Sequence, residues 1–316
     1  MRESIPYARR VKPLMLGLMG LFLVNTLYAQ TDTLKKPRVG KHVFTPITYS
    51  NLPLTNSYFS TFTGVGSTNG LVSDLGNLPL RGLSGEVTFI ELGFAYQQRV
   101  RDWLAAYVEL NISARVGTEL QSILTQGFST ITSFNIGWHI RLAEGKKYRL
   151  SGVIELQNNK GSFVNLLGFV QDIINEQPNP SLNEKIPLLG FASGLRYAYA
   201  LNETIGFKAS AALAYGETYT RGQNGFSFDA GAGVDFDFYP KYAVPVGLVI
   251  IYDVTSMPDF VYVEGENSQM LQGKIAYTKA SDFSLGIELA WARYPFLNQE
   301  KPVTLRSVAL SARYYF

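Results

Sequence analysis

The sequence predicts an all-β fold, an antiparallel transmembrane β-barrel of about 12 strands with 14 as the alternative, and three observations predict it. The first is Phe226 to Tyr239, FSFDAGAGVDFDFY, where apolar and polar side chains alternate without a break over 14 residues. A period of two is that of a strand, and soluble strands usually stop after about five or six residues. The second is the alternation of short turns with long connections along the chain. The third is charge: read strand by strand, the ionisable residues fall on one parity and the aromatic and aliphatic residues on the other.

Composition fits this reading. Of 316 residues 46% are hydrophobic and 17% charged, with 20 Phe and 19 Tyr against 3 Trp. Tyr and Phe favour strands and interfaces. The absence of cysteine excludes disulfides, thiolate chemistry and Cys-based metal sites.

The elements follow in chain order. Residues 1–29 read as a signal peptide: Arg2, Arg9, Arg10 and Lys12 precede the apolar run LMLGLMGLFLV, and Leu27-Tyr28-Ala29 forms a cleavage site before Gln30. Its removal leaves 24 basic and 24 acidic residues, so a basic nucleic-acid footprint is absent. Residues 30–57 form an N-terminal periplasmic or plug segment, and residues 58–316 the barrel. No later stretch reaches the roughly 18 apolar residues of a membrane helix.

Within the barrel, Tyr58 to Gly66 is the first strand. Glu86 to Gln98 and the run from Leu104 form a hairpin through Arg99-Val100-Arg101-Asp102. Thr130 to Leu142 pairs with Tyr148 to Gln157 through AEGKK, and Leu189 to Leu201 pairs with Ile205 to Tyr219 through NET. Phe226 to Tyr239 pairs with Val244 to Thr255, Gln269 to Thr278 pairs with Phe283 to Tyr294, and Val303 to Phe316 is last. A 14-stranded barrel would also use Lys41 to Tyr49. The strand lengths suit a bilayer, which a tilted strand crosses in about 9–11 residues.

Parity turns Glu91, Glu109, Arg115, Arg141, Arg149, Glu155, Arg196, Lys208, Asp229, Asp235, Asp237, Lys274 and Glu288 toward the lumen. Arg or Lys on the lipid face costs about 2–4 kcal/mol at the midplane, which accounts for the segregation. Two glycine-rich stretches do not read as phosphate-binding loops. Gly64 to Gly70, GVGSTNG, has the wrong spacing for a phosphate loop and reads as a turn, while Gly231 and Gly233 make inward room for a bulky neighbour or allow sharp curvature. His42 and His139 have no second His or Cys at ligand spacing. His139 faces the lumen, so no catalytic residue, metal site or cofactor is expected and the chain is not read as an enzyme. One connection, Ser162 to Pro180, places Phe163, Leu166, Leu167, Val170 and Ile173 at helical spacing, with Ser162 as N-cap. This predicts a short helix in an external loop, set against the mouth, the lumen or the lipid surface.

The C-terminus, SVALSARYYF, carries Tyr314 and Phe316 on one parity and ends on an aromatic. It resembles the terminal strand by which bacterial outer-membrane β-barrel proteins are recognised by the outer-membrane insertion machinery. The resemblance implies export to the bacterial outer membrane, with membrane lipid and that machinery as partners. In architecture the pattern is nearest to the long-chain fatty-acid and hydrocarbon transporter barrels, whose N-terminal plug residues 31–57 would have to supply. Two function classes stay open: a porin-like channel or transporter for small solutes, including apolar ones, and a closed structural, assembly or secretion-accessory barrel without transport.

Overall fold

A computed structural model describes residues 36–48, 50, 52–69, 87–116, 127–164, 175, 183–217, 224–256, 267–295 and 302–316. Two strands of two residues, β1 (Arg38–Val39) and β2 (His42–Val43), form a small hairpin. The wall is built from β3 (Tyr58–Asn69), β4 (Val87–Arg101), β5 (Leu104–Val116), β6 (Gly127–Glu144), β7 (Tyr148–Val164) and β8 (Asn183–Ala200). It continues with β9 (Ile205–Glu217), β10 (Asn224–Asp237), β11 (Val246–Ser256), β12 (Ser268–Tyr277), β13 (Phe283–Tyr294) and β14 (Val303–Tyr315). Each pairs antiparallel with its neighbours in sequence, and β14 pairs with β3, closing a barrel of 12 strands.

The alternating pattern sorts side chains between two surroundings. Phe226 and Phe228 stand on the outer surface, 65% and 48% exposed, while Asp235 and Asp237 on the opposite parity are buried. The same holds around the wall, with Ile90, Leu92 and Phe94 exposed on β4 and Leu285, Ile287 and Leu289 on β13. An apolar outer band over a charged interior is what a bilayer demands of a barrel. Closure leaves no strand edge, so every wall strand has two hydrogen-bonded neighbours in the lipid.

Several boundaries differ from the sequence reading. β4 runs to Arg101, so the turn is Asp102-Trp103 and Arg99 lies in the strand beside a bulge. Gly64 to Asn69 is strand, not a turn. Gly66 is an inward niche for the Phe89 ring and Gly93 one for Phe62, so these glycines serve packing instead of chain reversal. The start of the predicted helix also differs: Ser162, Phe163 and Val164 close β7, opposite Lys185, Glu184 and Asn183 of β8. Cross-strand pairing satisfies backbone groups that a short solvated helix would hold only marginally. Asn175 is an exposed turn residue, whereas Leu166, Leu167, Val170 and Ile173 lie outside the described residues.

The turn between β10 and β11 contains a single helical turn, α1 (Tyr239–Tyr242), that alternation could not foretell. It ends at Ala243, whose φ of 55° is left-handed and whose N–H caps the Tyr239 carbonyl. At the β8–β9 turn the Asn202 side chain accepts from the N–H groups of Thr204 and Ile205 at 2.8 and 2.9 Å, an Asx-type reversal.

Of the Lys41 to Tyr49 alternative, residues 41–48 do not join the wall, which excludes a 14-stranded barrel built on them, and Tyr49 lies outside the described residues. The segment has few residues and Pro46 removes a ladder donor. It runs inside the barrel instead. Ile47 packs against the inward Val249 and Ile251, while Val39, Phe44, Leu52 and Leu54 form a core with Ala198 and Ala200 of β8.

Candidate functional site

Inward side chains divide the lumen into a floor at the short-turn end and a chamber above it. The floor is made by residues 36–57. His42 is fully buried: its Nδ1 lies 3.2 Å from the Glu203 carbonyl and its Nε2 lies 3.0 Å from Asp235 Oδ1. A carbonyl can only accept, so Nδ1 donates to Glu203, and Nε2 and Asp235 share one proton. The other oxygen of Asp235 accepts the Thr45 N–H at 2.8 Å, and Glu288 accepts the Thr48 N–H at 3.0 Å. Two wall carboxylates thus hold backbone donors of the interior segment, a charge-assisted arrangement stronger than neutral hydrogen bonds.

Further contacts tie the segment down. Lys36 Nζ donates to the Thr278 carbonyl at 2.9 Å, and Gln97 Nε2 donates to the carbonyls of Leu54 and Asn56 at 2.8 and 2.7 Å. Ser151 Oγ donates to Pro53 at 2.9 Å and Thr55 Oγ1 to Asp102 at 2.9 Å. Burial lowers the Lys36 pKa to about 8, outweighing the attraction of Asp237. Glu203, Asp102 and Thr278 belong to short turns, so the segment seats at that end of the barrel.

Above it lies a cavity of about 380 Å³. Glu109, Glu155 and Arg196 line one side and Asp229, Asp253 and Thr255 the other, with Ser50 of the interior segment also contributing. Glu155 accepts the Tyr107 hydroxyl at 2.5 Å and bonds Gln157, while the Arg196 guanidinium lies 5.8 Å from the Tyr107 ring centre. Opposite, Asp229 accepts from Thr255 Oγ1 at 2.6 Å and Asp253 from Gln272 Nε2 at 3.0 Å. Four carboxylates against one guanidinium make the chamber lining acidic.

The remaining lumen candidates fall into other roles. Lys274 and Glu288 form a buried ion pair at 3.0 Å, beside buried Lys208 and Glu91. Asp237 is bonded by Thr278 Oγ1 and the Tyr239 N–H, both at 3.1 Å. Arg141 and Arg149 both pair with Glu144 at the short-turn rim, away from the chamber. Arg115 is inward on β5 toward the long connections. Tyr314 and Phe316 stand on the lipid face, 46% and 48% exposed, with Phe316 stacked on Tyr96. His139 is buried. No group of three His, Asp or Glu that could hold a metal occurs among the described residues.

Parity found the wall carboxylates but missed their partners. Nothing periodic marks His42, Thr45 or Thr48, and backbone donors carry no sequence signal. Gly231 and Gly233 behave as expected: Asp253 packs over the first and Ile251 against the second.

No protein family and no curated protein sequence matches the chain. Solved structures similar to it include the NanC porin, with 9% identity over 81% of this chain and 100% of that one, at a TM-score of 0.48. The translocator domain of the autotransporter NalP from Neisseria meningitidis has 10% identity over 96% of this chain and 97% of that one, also at 0.48. The toluene transporter TodX of Pseudomonas putida has 12% identity over 83% of this chain and 90% of that one, at 0.44. At these identities and scores the likeness is one of barrel architecture, and proteins with that architecture carry different functions.

Proposed function

We propose that the protein is a bacterial outer-membrane channel for small polar solutes, cations above anions, whose lumen is stopped at the short-turn end by its own residues 36–57. The observation that carries this reading is the polar, acidic chamber resting on a segment held mainly by side-chain contacts and backbone hydrogen bonds to Asp235 and Glu288. Rings and walls of carboxylates favour cations in pores. An apolar solute is less well served, because Glu109, Glu155, Asp229, Asp253 and Arg196 interrupt the apolar part of the lining, which Val153, Ala192 and Ala212 supply. Export through a signal peptide agrees with the reading, and residues 1–35 lie outside the described residues.

A second reading, a closed structural or assembly barrel, draws on the buried Lys274–Glu288 and His42–Asp235 pairs, which fill the interior. Planar-bilayer recordings separate the two. The whole chain is expected to conduct weakly, and a chain lacking residues 36–57 to conduct strongly with a reversal potential that favours cations. Replacing both Asp229 and Asp253 with asparagine in the shortened chain should weaken that preference. Silence of the shortened, folded barrel would favour the closed component.

A further inference from the structure

Charges inside the described strands face the lumen with few exceptions, and Arg306 of β14 is one of them. Its neighbours Leu305 and Ser307 carry the inward parity, and Arg306 itself is exposed. It pairs with outward Trp291 of β13, which pairs in turn with outward Leu271 of β12. One step toward the short-turn end, outward Val308 pairs with Leu289, and Leu289 with Gly273. Gly273 leaves a notch in this second row, since a Cβ there would meet no atom nearer than 3.8 Å. Between the two rows lies an open groove of about 680 Å³ on the outer surface. That is within the ~300–1,000 Å³ of small-ligand sites.

The groove is apolar along its floor and basic at one edge. Arg306 forms no ion pair among the described residues. It sits four residues into β14, near the long connections, where a strand leaves the hydrocarbon and Trp is favoured. A guanidinium at head-group depth offers a planar fork that matches a phosphate.

We propose that this groove is a binding site for an anionic phospholipid, one acyl chain lying over Gly273 between Leu271 and Leu289 and the net-negative head group, through its phosphate, on Arg306. The occupant is a lipid and not free phosphate, because the site joins an apolar channel to the cation. A zwitterionic lipid such as phosphatidylcholine fills the groove equally well, but its own ammonium competes with Arg306 for its phosphate and it brings no net negative charge. The site is separate from the lumen and independent of whether the barrel conducts.

Trp291 reports on it directly. In a chain with Trp103→Phe and Trp138→Phe, Trp291 is the one remaining tryptophan of three. The barrel is refolded into vesicles of phosphatidylcholine and phosphatidylglycerol in equal parts, with bromine on the acyl chains of one lipid or the other. Quenching by the brominated anionic lipid should exceed quenching by the brominated neutral lipid, with local enrichment of about fivefold for one basic residue at an anionic surface. Arg306→Gln should abolish the preference, Arg306→Lys should retain most of it, and Gly273→Leu should reduce quenching by both lipids. Equal quenching by the two lipids in the parent would show annular contact only and overturn the proposal. So would a preference that survives Arg306→Gln, or one that excess inorganic phosphate removes.

Discussion

Replacing His42 with alanine should release residues 36–57 from the floor of the barrel without unfolding the wall. The substitution removes the contact to the Glu203 carbonyl and takes from Asp235 the partner with which it shares a proton, in a site where both side chains are fully buried. Breaking one side of a buried pair costs about 3–5 kcal/mol, because the group left behind stays desolvated. At about 1.4 kcal/mol per tenfold, opening of the segment should become roughly 10² to 4 × 10³ times more frequent. Hydrogen exchange on the refolded barrel measures this at the Phe44, Thr45 and Thr48 amides, bonded to the Pro37 carbonyl, Asp235 and Glu288 in turn. The amides of β13, paired on both sides within the wall, provide the reference. If the Thr45 amide exchanges as slowly as in the parent, the His42–Asp235 pair is not what holds the segment. If Thr45 speeds up and Thr48 does not, the segment opens in pieces and its treatment as one unit is wrong.

Ile287→Arg places a cation on the exposed apolar side of β13 and should destabilise the barrel in lipid vesicles by about 2–4 kcal/mol, read as a lowered urea midpoint. Lys36 gives a pH dependence. Its pKa falls from 10.5 unfolded to about 8 in place, so docking is disfavoured while the side chain is charged in solution, and docking strengthens as pH rises from about 8 toward 10.5. Exchange of the interior segment, corrected for intrinsic rates, should therefore slow across that window, and Lys36→Met should flatten the profile. Ala243→Gly should stabilise the barrel by about 0.5–1 kcal/mol in the same urea titration, since φ at this position is 55° and glycine meets no Cβ penalty there.

The wall was legible because lipid imposes a rule with no exceptions at depth. Every backbone group must pair, and a charge placed outward is costly, so a strand such as β10 displays its two environments directly in FSFDAGAGVDFDFY. That rule weakens where the strands leave the membrane. β6, β7 and β8 run for 18, 17 and 18 residues, well past the length a bilayer requires, and beyond it alternation is no longer enforced. Phe163 was therefore readable as the start of a helical face, although pairing with β8 keeps it in a strand. The anchors of the interior segment were not legible for a different reason. They are a histidine, two threonine amides and scattered aliphatic residues, fixed by where Asp235 and Glu288 stand and not by any period of their own.

What the sequence does hold of the interior segment is written in the wall, at its inward glycines. Gly206 of β9 opens a β-strand beside the β8–β9 turn, and a Cβ there would lie 2.6 Å from the His42 ring and 2.7 Å from the Phe44 ring. Gly247 of β11 would bring its Cβ to 2.5 Å from Thr45 Oγ1. Both occur near the short-turn ends of their strands, where the interior segment sits. Toward the middle of the wall the glycines change partner: Gly231 and Gly233 receive Asp253 and Ile251 of the neighbouring strand, and Gly66 and Gly93 receive Phe89 and Phe62. In a barrel of fixed circumference, an inward glycine is a place from which volume has been removed, and close packing requires that something else occupy it. Glycines whose niches are filled by the wall therefore mark where the barrel packs on itself. Those filled by His42, Phe44 and Thr45 mark where the wall is shaped to a second piece of chain. The floor of the lumen is thus part of the barrel's own packing, and its release has to be read as a change in the wall's interior as much as in the segment that leaves.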